Sequence, residues 1–225
     1  YVIARSKVGR HIDFDTGSAL FQMADEYERL VADPPNPEKY LKKRKQVAAR
    51  TQNGAMRLSQ IKRGSDPVDS LAGVSFRHLS MLAQIKSSDE DVWNSLRKSG
   101  HLEGEPGASL SGRLRRMRNW VDGAHFPDAA KIEIRTKISN EARENLTGNQ
   151  VEFLSALGER LSDCDWTEHE IGSCIKSIVS ETGVGGRDAY VALYWAILGK
   201  SHGPKASSLM AEMERDYCIQ LVNQV

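Results

Sequence analysis

Apolar side chains recur at helical spacing along most of this chain. In residues 15–33, "DTGSALFQMADEYERLVAD", they fall at Leu20, Phe21, Ala24, Tyr27, Leu30 and Val31, which predicts an amphipathic helix capped at Asp15 or Thr16. The prolines of "DPPNP" (33–37) end it, because proline cannot continue a helix. A second, strongly basic helix follows over 38–64, with Gly54 as a point where it splits or kinks. Shorter helices are predicted over 75–86, 87–100 and, after a loop at 100–108, over 109–126. "AKIEIRTKIS" (130–139) alternates apolar and charged residues. With helices on both sides and no strand to pair with, it reads as an extended connector.

The pattern tightens beyond residue 145. Helices are predicted over 148–162, 167–182, 186–199 and 205–223. Thr167 with Glu170 has capping-box spacing, "TGVGG" (182–186) ends a helix on glycine, and Pro204 opens the last helix in its first turn. The fold class expected is all-α. A front region, 1–145, carries long charged helices, and a rear bundle, 146–225, packs short helices with brief turns.

Composition bounds the function. The 225 residues are 40% hydrophobic and 27% charged, with a net charge of +1. Cys164, Cys174 and Cys218 are too few for a disulfide framework, so a reduced cytoplasmic setting is expected. No apolar run is long enough to span a membrane and no signal peptide is evident. A start at Tyr1 suggests a piece of a longer protein.

Catalytic chemistry finds no footing. GxxxxGK[ST], GxSxG and a strand-borne GxGxxG are all missing. Cys164, His169 and Cys174 stand five residues apart and point different ways on a helix, so no metal site is expected. The carboxylate pairs in "DEDVW" and "DEYER" suit a helix start and a solvated face. The cations carry more. Lys39, Lys42, Lys43, Arg44 and Lys45 crowd two turns, followed by Arg50, Arg57, Lys62 and Arg63. Arg113, Arg115, Arg116 and Arg118 form a second group, beside a Trp120 that reads as core. On a nearly neutral chain, such concentrations suit an anionic partner, most often phosphate, although a solvated helix face explains them too.

The stretch "LGKSHGPKASSL" (198–209) follows a helix apolar almost all round, "AYVALYWAIL". That helix must be central and must stop at Gly199. Lys200, His202 and Lys205 then gather at a turn before a new helix start, whose free N–H groups favour an anion. Aromatic residues and cations together suit unstacked bases and their phosphates.

This stretch, through "MAEMERDYCIQLV", resembles the C-terminal end of class I lysyl-tRNA synthetases: a helix ending in L-G-[KR], then G-P-[KR], then a final helix. "DFDTG" with "DEYERL", "VSFRHLSMLAQI", "RLRRMRNWV" and "WTEHEIGSCIKSIVSETGVGGRDAYVALY" agree in the same order. The resemblance covers essentially the whole chain. It implies an enzyme that uses ATP to attach lysine to its tRNA, with HIGH and KMSKS-like motifs in a Rossmann domain. Neither motif is in this sequence, so the piece itself needs no cofactor, ATP belonging to the catalytic domain, and should be inactive alone. It would be a monomeric, non-membrane helical stem-contact region followed by an anticodon-binding cage, with the tRNA for lysine as partner. By match to the terminal motif, Lys200, His202 and Lys205 would meet the anticodon, with Arg187, Tyr194 and Trp195 beside them. Lys42, Lys43, Arg44, Arg113 and Arg116 would follow the tRNA backbone. Ser207 departs from a glycine common in the family. Two other readings stay open: a protein-interaction scaffold, or the same part of a glutamyl-tRNA synthetase.

Overall fold

The computed structural model describes residues 17–59 and 73–224. Asp15, Thr16, Lys62 and Arg63 lie outside those residues. Eleven α-helices and two 3-10 turns, and no strand, occur among the described residues. The chain divides into two compact units, Tyr1–Ala130 and Lys131–Val225.

In the front unit, α1 (Ser18–Ala32) and α2 (Lys43–Leu58) are joined by a proline-rich turn, and the C-terminal half of α2 returns to the end of α1. Asn36 caps the 3-10 turn Pro37–Lys39 by accepting from Glu38 N–H at 2.9 Å, and Asn53 Nδ2 donates to Pro35 O at 2.7 Å. Leu30 and Val31 bury against Met56, with Tyr27 packed alongside. Gly54 does not break α2, which runs through it.

Helices α3 (Phe76–Ile85), α4 (Asp89–Lys98) and α5 (Ala108–Val121) complete the unit. Ser75 and Ser88 cap α3 and α4 with their hydroxyls. Leu79, Leu82, Leu96 and Leu114 are fully buried. Helix α1 docks on the start of α3: Glu28 Oε1 accepts the Phe76 N–H at 2.5 Å, and Arg77 grips Asp25 through two bonds. Phe21, Phe76, Trp120 and Phe126 form an aromatic cluster with ring centroids 4.7–5.7 Å apart, in which Phe126 is buried and Trp120, expected in the core, is half-buried.

The rear unit begins earlier than the boundary expected at 145. The reason is that residues 131–145 pack backward onto the later helices. Arg135 N–H donates to Ile197 O at 2.9 Å, Ile138 N–H donates to Gln224 Oε1 at 3.0 Å, and Ile138 is buried. The segment 131–138 is neither helix nor strand, with bends at 136 and 137, and a short α6 (Asn140–Asn145) capped by Ser139 follows.

The core of this unit is α7 (Gly148–Ser162), whose Phe153, Leu154, Leu157 and Leu161 are fully buried. Around it lie α8 (Glu168–Thr182) and α9 (Gly186–Leu198). Gln150 ties the bundle together by holding the Thr147 N–H at 3.0 Å and donating to Asp188 O at 2.9 Å. Helices α8 and α9 both end on left-handed glycines, Gly183 at φ 68° and Gly199 at φ 64°.

The single helix expected over 205–223 is two, α10 (Ala206–Ala211) and α11 (Arg215–Val222). The Trp166 indole donates to Met213 O at 3.0 Å, and Glu214 caps α11 by accepting the Tyr217 N–H at 2.8 Å. These bonds replace the ladder across the break. Pro204 lies just outside α10, whose N-cap is Lys205, so it does not start the helix as expected.

Candidate nucleic-acid interface

In the rear unit, α9 is less enclosed than its sequence suggests. Ala189, Ala192, Leu193, Ala196, Ile197 and Leu198 are buried. Tyr190, Val191, Tyr194 and Trp195 are only half-buried and Arg187 is exposed. At about 100° per residue, Arg187, Tyr190, Val191, Tyr194 and Trp195 share one side of the helix. The aromatics are therefore neither wholly core nor wholly surface: their inner edges pack and their outer edges meet solvent.

The turn after α9 is built tightly. The Tyr194 hydroxyl donates to Pro204 O at 2.6 Å, and burial raises the Tyr194 pKa. A Cβ at Gly203 would lie 2.7 Å from Leu198 Cδ1 and 2.8 Å from Tyr194 Cδ1. Only glycine lets this backbone lie against the Tyr194 ring. The corner itself stays at the surface, with His202 and Lys205 exposed and Lys200 half-buried.

The three corner residues differ in their commitments. Lys205 Nζ pairs with Glu168 Oε1 at 2.5 Å while remaining 70% exposed, so its charge is partly neutralised in place. Lys200 Nζ donates to Lys131 O at 2.6 Å, and burial pushes its pKa down. It is thus as much a tether for the 131–138 segment as a surface cation. The helix-start argument does not hold: Ala206, Ser207 and Ser208 at the beginning of α10 are buried, and Ser207 packs toward Gly172 of α8.

In the front unit the two cationic groups behave unlike one another. Lys42, Lys43 and Arg44 are exposed at the start of α2, and their side chains have no hydrogen-bond partner among the described residues. Helix α5 sorts its arginines by angle. Leu110, Leu114 and Met117 mark its buried stripe. Arg115 and Arg116 point about 130° from that stripe and are exposed, whereas Arg113 and Arg118 flank it at about 70°.

Arg113 is accordingly a structural residue and not the backbone-following cation expected. Its Nη1 donates to Val74 O at 2.8 Å, its Nη2 lies 3.9 Å from Glu28, and its side chain is only 12% exposed. Burial raises the Glu28 pKa and lowers that of Arg113, in each case against the attraction of the other. Arg118 is held by Asp89 at 2.7 Å and by the carbonyls of Ala83 and Lys86.

No group of three or more His, Cys, Asp or Glu side chains suited to a metal occurs among the described residues. Cys164 and Cys218 are buried and pushed up to about 12. His169 is exposed and bonded to Glu170 at 2.8 Å. Among the described residues no helix is long and apolar enough to cross a membrane.

Arg135, which the sequence reading did not single out, also lies at this corner. It is exposed and lies on Gly199, where an added Cβ would sit 2.8 Å from its Nε. Nothing in the alternating pattern of 130–139 singles it out.

Comparison with known proteins gives these surfaces a context. Residues 79–224 match the anticodon binding domain family. A lysine–tRNA ligase of Archaeoglobus fulgidus is 30% identical over 91% of this chain and 36% of its own length. Those of Thermoplasma volcanium and Picrophilus torridus are 26% and 23% identical over 100% of this chain and 41% of theirs. The chain spans about two-fifths of the length of these curated relatives. The match takes in α9, the glycine-rich corner and both helices that follow it, and the chain belongs to the anticodon-binding domain family.

Proposed function

We propose that this chain is the RNA-gripping part of a class I lysine–tRNA ligase, and that its partner is the tRNA for lysine. The observation that carries this reading is the coincidence of the family match with a surface suited to single-stranded RNA. Half-exposed Tyr190, Tyr194 and Trp195 lie beside Arg187, Lys200, His202 and Lys205. Such rings stack on splayed bases, and cations at their border meet the connecting phosphates. In the front unit, Lys42, Lys43, Arg44 and Arg116 follow the tRNA backbone, where contacts position the partner without reading its sequence.

The whole enzyme, in this reading, uses ATP to attach lysine to that tRNA, and acts as a monomer in the cytoplasm. The described residues supply binding and no reaction, so the chain alone gives no lysine-dependent pyrophosphate exchange. Choice of amino acid is made elsewhere in the enzyme.

Titrating the chain with the tRNA and with an acidic polypeptide, over a series of salt concentrations, tests the reading. The tRNA should bind preferentially, and log K should fall with log salt by roughly 0.7–0.9 per phosphate neutralised. Equal binding of both polyanions would instead favour a scaffold that meets acidic proteins.

A further inference from the structure

In the rear unit the irregular segment 131–138 is pinned at its middle. Arg135 N–H donates to Ile197 O at 2.9 Å, and the Tyr217 hydroxyl donates to Arg135 O at 2.6 Å. The Arg135 backbone is thereby held from both sides. The Arg135 side chain crosses Gly199, and its Nε donates to Leu198 O at 3.3 Å. Gly199 is favoured by its φ of 64°, and a Cβ there would sit 2.8 Å from Nε and 3.4 Å from Cζ, so the Arg135 side chain would have to shift.

One guanidinium edge is therefore spent on the C-terminal end of α9, where helix carbonyls favour a cation. The other is not. The terminal Nη donors of Arg135 make no hydrogen bond among the described residues, and the residue is exposed. Lys200 is near enough for the Arg135 charge to help lower its pKa, while the exposed Glu133 opposes that effect. Two cations thus converge where α9 ends and the corner begins, one held by Lys131 O and one by Leu198 O.

We propose that Arg135 binds a phosphate of a single-stranded RNA loop, its free Nη edge clamping two phosphate oxygens beside Lys200. A planar fork suits two oxygens of one phosphate better than an ammonium does. The backbone bonds hold the Arg135 main chain and the Nε bond to Leu198 O limits where the guanidinium can lie, so part of its ordering precedes binding. The inference rests on the RNA-binding reading above and adds a contact from a segment that otherwise looks like a linker.

The test measures binding of the tRNA for lysine to the wild-type chain, Arg135→Ala, Arg135→Lys and Gly199→Ala over a salt series, with unfolding midpoints taken alongside. Arg135→Ala should weaken binding roughly tenfold and flatten the log K against log salt slope by about 0.7. Arg135→Lys should restore the slope but only part of the affinity. Gly199→Ala, which displaces the guanidinium, should resemble Arg135→Ala. Wild-type affinity and slope in Arg135→Ala, even with a lowered midpoint, would mean that the arginine only caps α9, and would overturn the proposal. If Arg135→Ala does not fold, wild-type affinity in Arg135→Lys would overturn the fork. Failure of the wild-type chain to bind this tRNA would instead remove the RNA reading first, and this contact with it.

Discussion

Arg113 and Arg116 stand one turn apart on α5 and should respond to the same substitution in opposite ways. Arg113→Ala removes a donor 2.8 Å from Val74 O and leaves Glu28, 18% exposed, without the cation 3.9 Å away. A hydrogen bond from a charged donor contributes about 1.5–3 kcal/mol. Breaking a buried pair by removing one member costs more than the pair itself is worth, because the remaining charge stays desolvated. Against this, the guanidinium no longer has to be buried, and its burial outweighs the attraction of Glu28. The net loss expected is about 2–3 kcal/mol in the front unit. With a urea m-value of about 1–3 kcal/mol/M, that moves the front unit's transition down by about 0.7–3 M. Arg116→Ala removes an exposed side chain that has no hydrogen-bond partner among the described residues, and stability should change by less than about 0.5 kcal/mol. The RNA titration should invert this order. Arg116→Ala should weaken binding about three- to tenfold, whereas Arg113→Ala, assayed well below its urea midpoint, should stay within about twofold of wild type. Hydrogen exchange over α3 and α5 together with anisotropy of labelled tRNA reads both effects. A stable Arg113→Ala protein with weakened RNA binding would refute the division of α5 into a structural and a free edge.

Three further outcomes follow from single positions. Gly203→Ala should cost about 1–3 kcal/mol through overpacking against Leu198 and the Tyr194 ring, and should weaken RNA binding because the Tyr194 hydroxyl loses Pro204 O; unchanged thermal melting would contradict the close approach. Glu28 has a folded pKa above its ordinary value, so its contribution to stability is present below that ordinary value and is lost as pH rises through the raised one. Relative to Glu28→Gln, the wild-type chain should therefore lose stability over that rise in urea unfolding, and parallel profiles would contradict it. Cys164 and Cys218, buried with thiols pushed up to about 12, should resist a thiol reagent at pH 8 until the protein unfolds, while the half-exposed Cys174 reacts first; three equal rates would contradict the burial.

Much of the rear unit was legible in the sequence because its signals are local. The Thr167 cap, the left-handed glycines at 183 and 199, and the apolar spacing of α7 to α9 each act within a turn or two. The break between α10 and α11 was not legible. Residues 206–222 contain neither glycine nor proline, and the interruption depends on the Trp166 indole, 47 residues before its acceptor Met213 O. The unit boundary at 130/131 was hidden for the same reason, since residues 131–145 are attached by long-range bonds to Ile197, Tyr217 and Gln224. On α5 the signal was present but needed the buried stripe as reference: charge alone groups Arg113 with Arg116, and helical angle separates them. Of the anticodon residues expected, all six lie on α9 or its corner, yet Lys200 and Lys205 also carry bonds within the protein that composition could not disclose. Arg135 was missed because its position depends on Ile197, Leu198 and Tyr217, all more than 60 residues away.

In the proposed reading, the face formed by α9 and its corner receives an anticodon. The most direct test is a titration of the wild-type chain with the tRNA for lysine and with the same tRNA carrying exchanged anticodon bases, at one fixed salt concentration. Stacking and edge contacts contribute about 1–3 kcal/mol per base, so the exchange should weaken binding by about tenfold or more. Equal affinity for both RNAs would contradict the account.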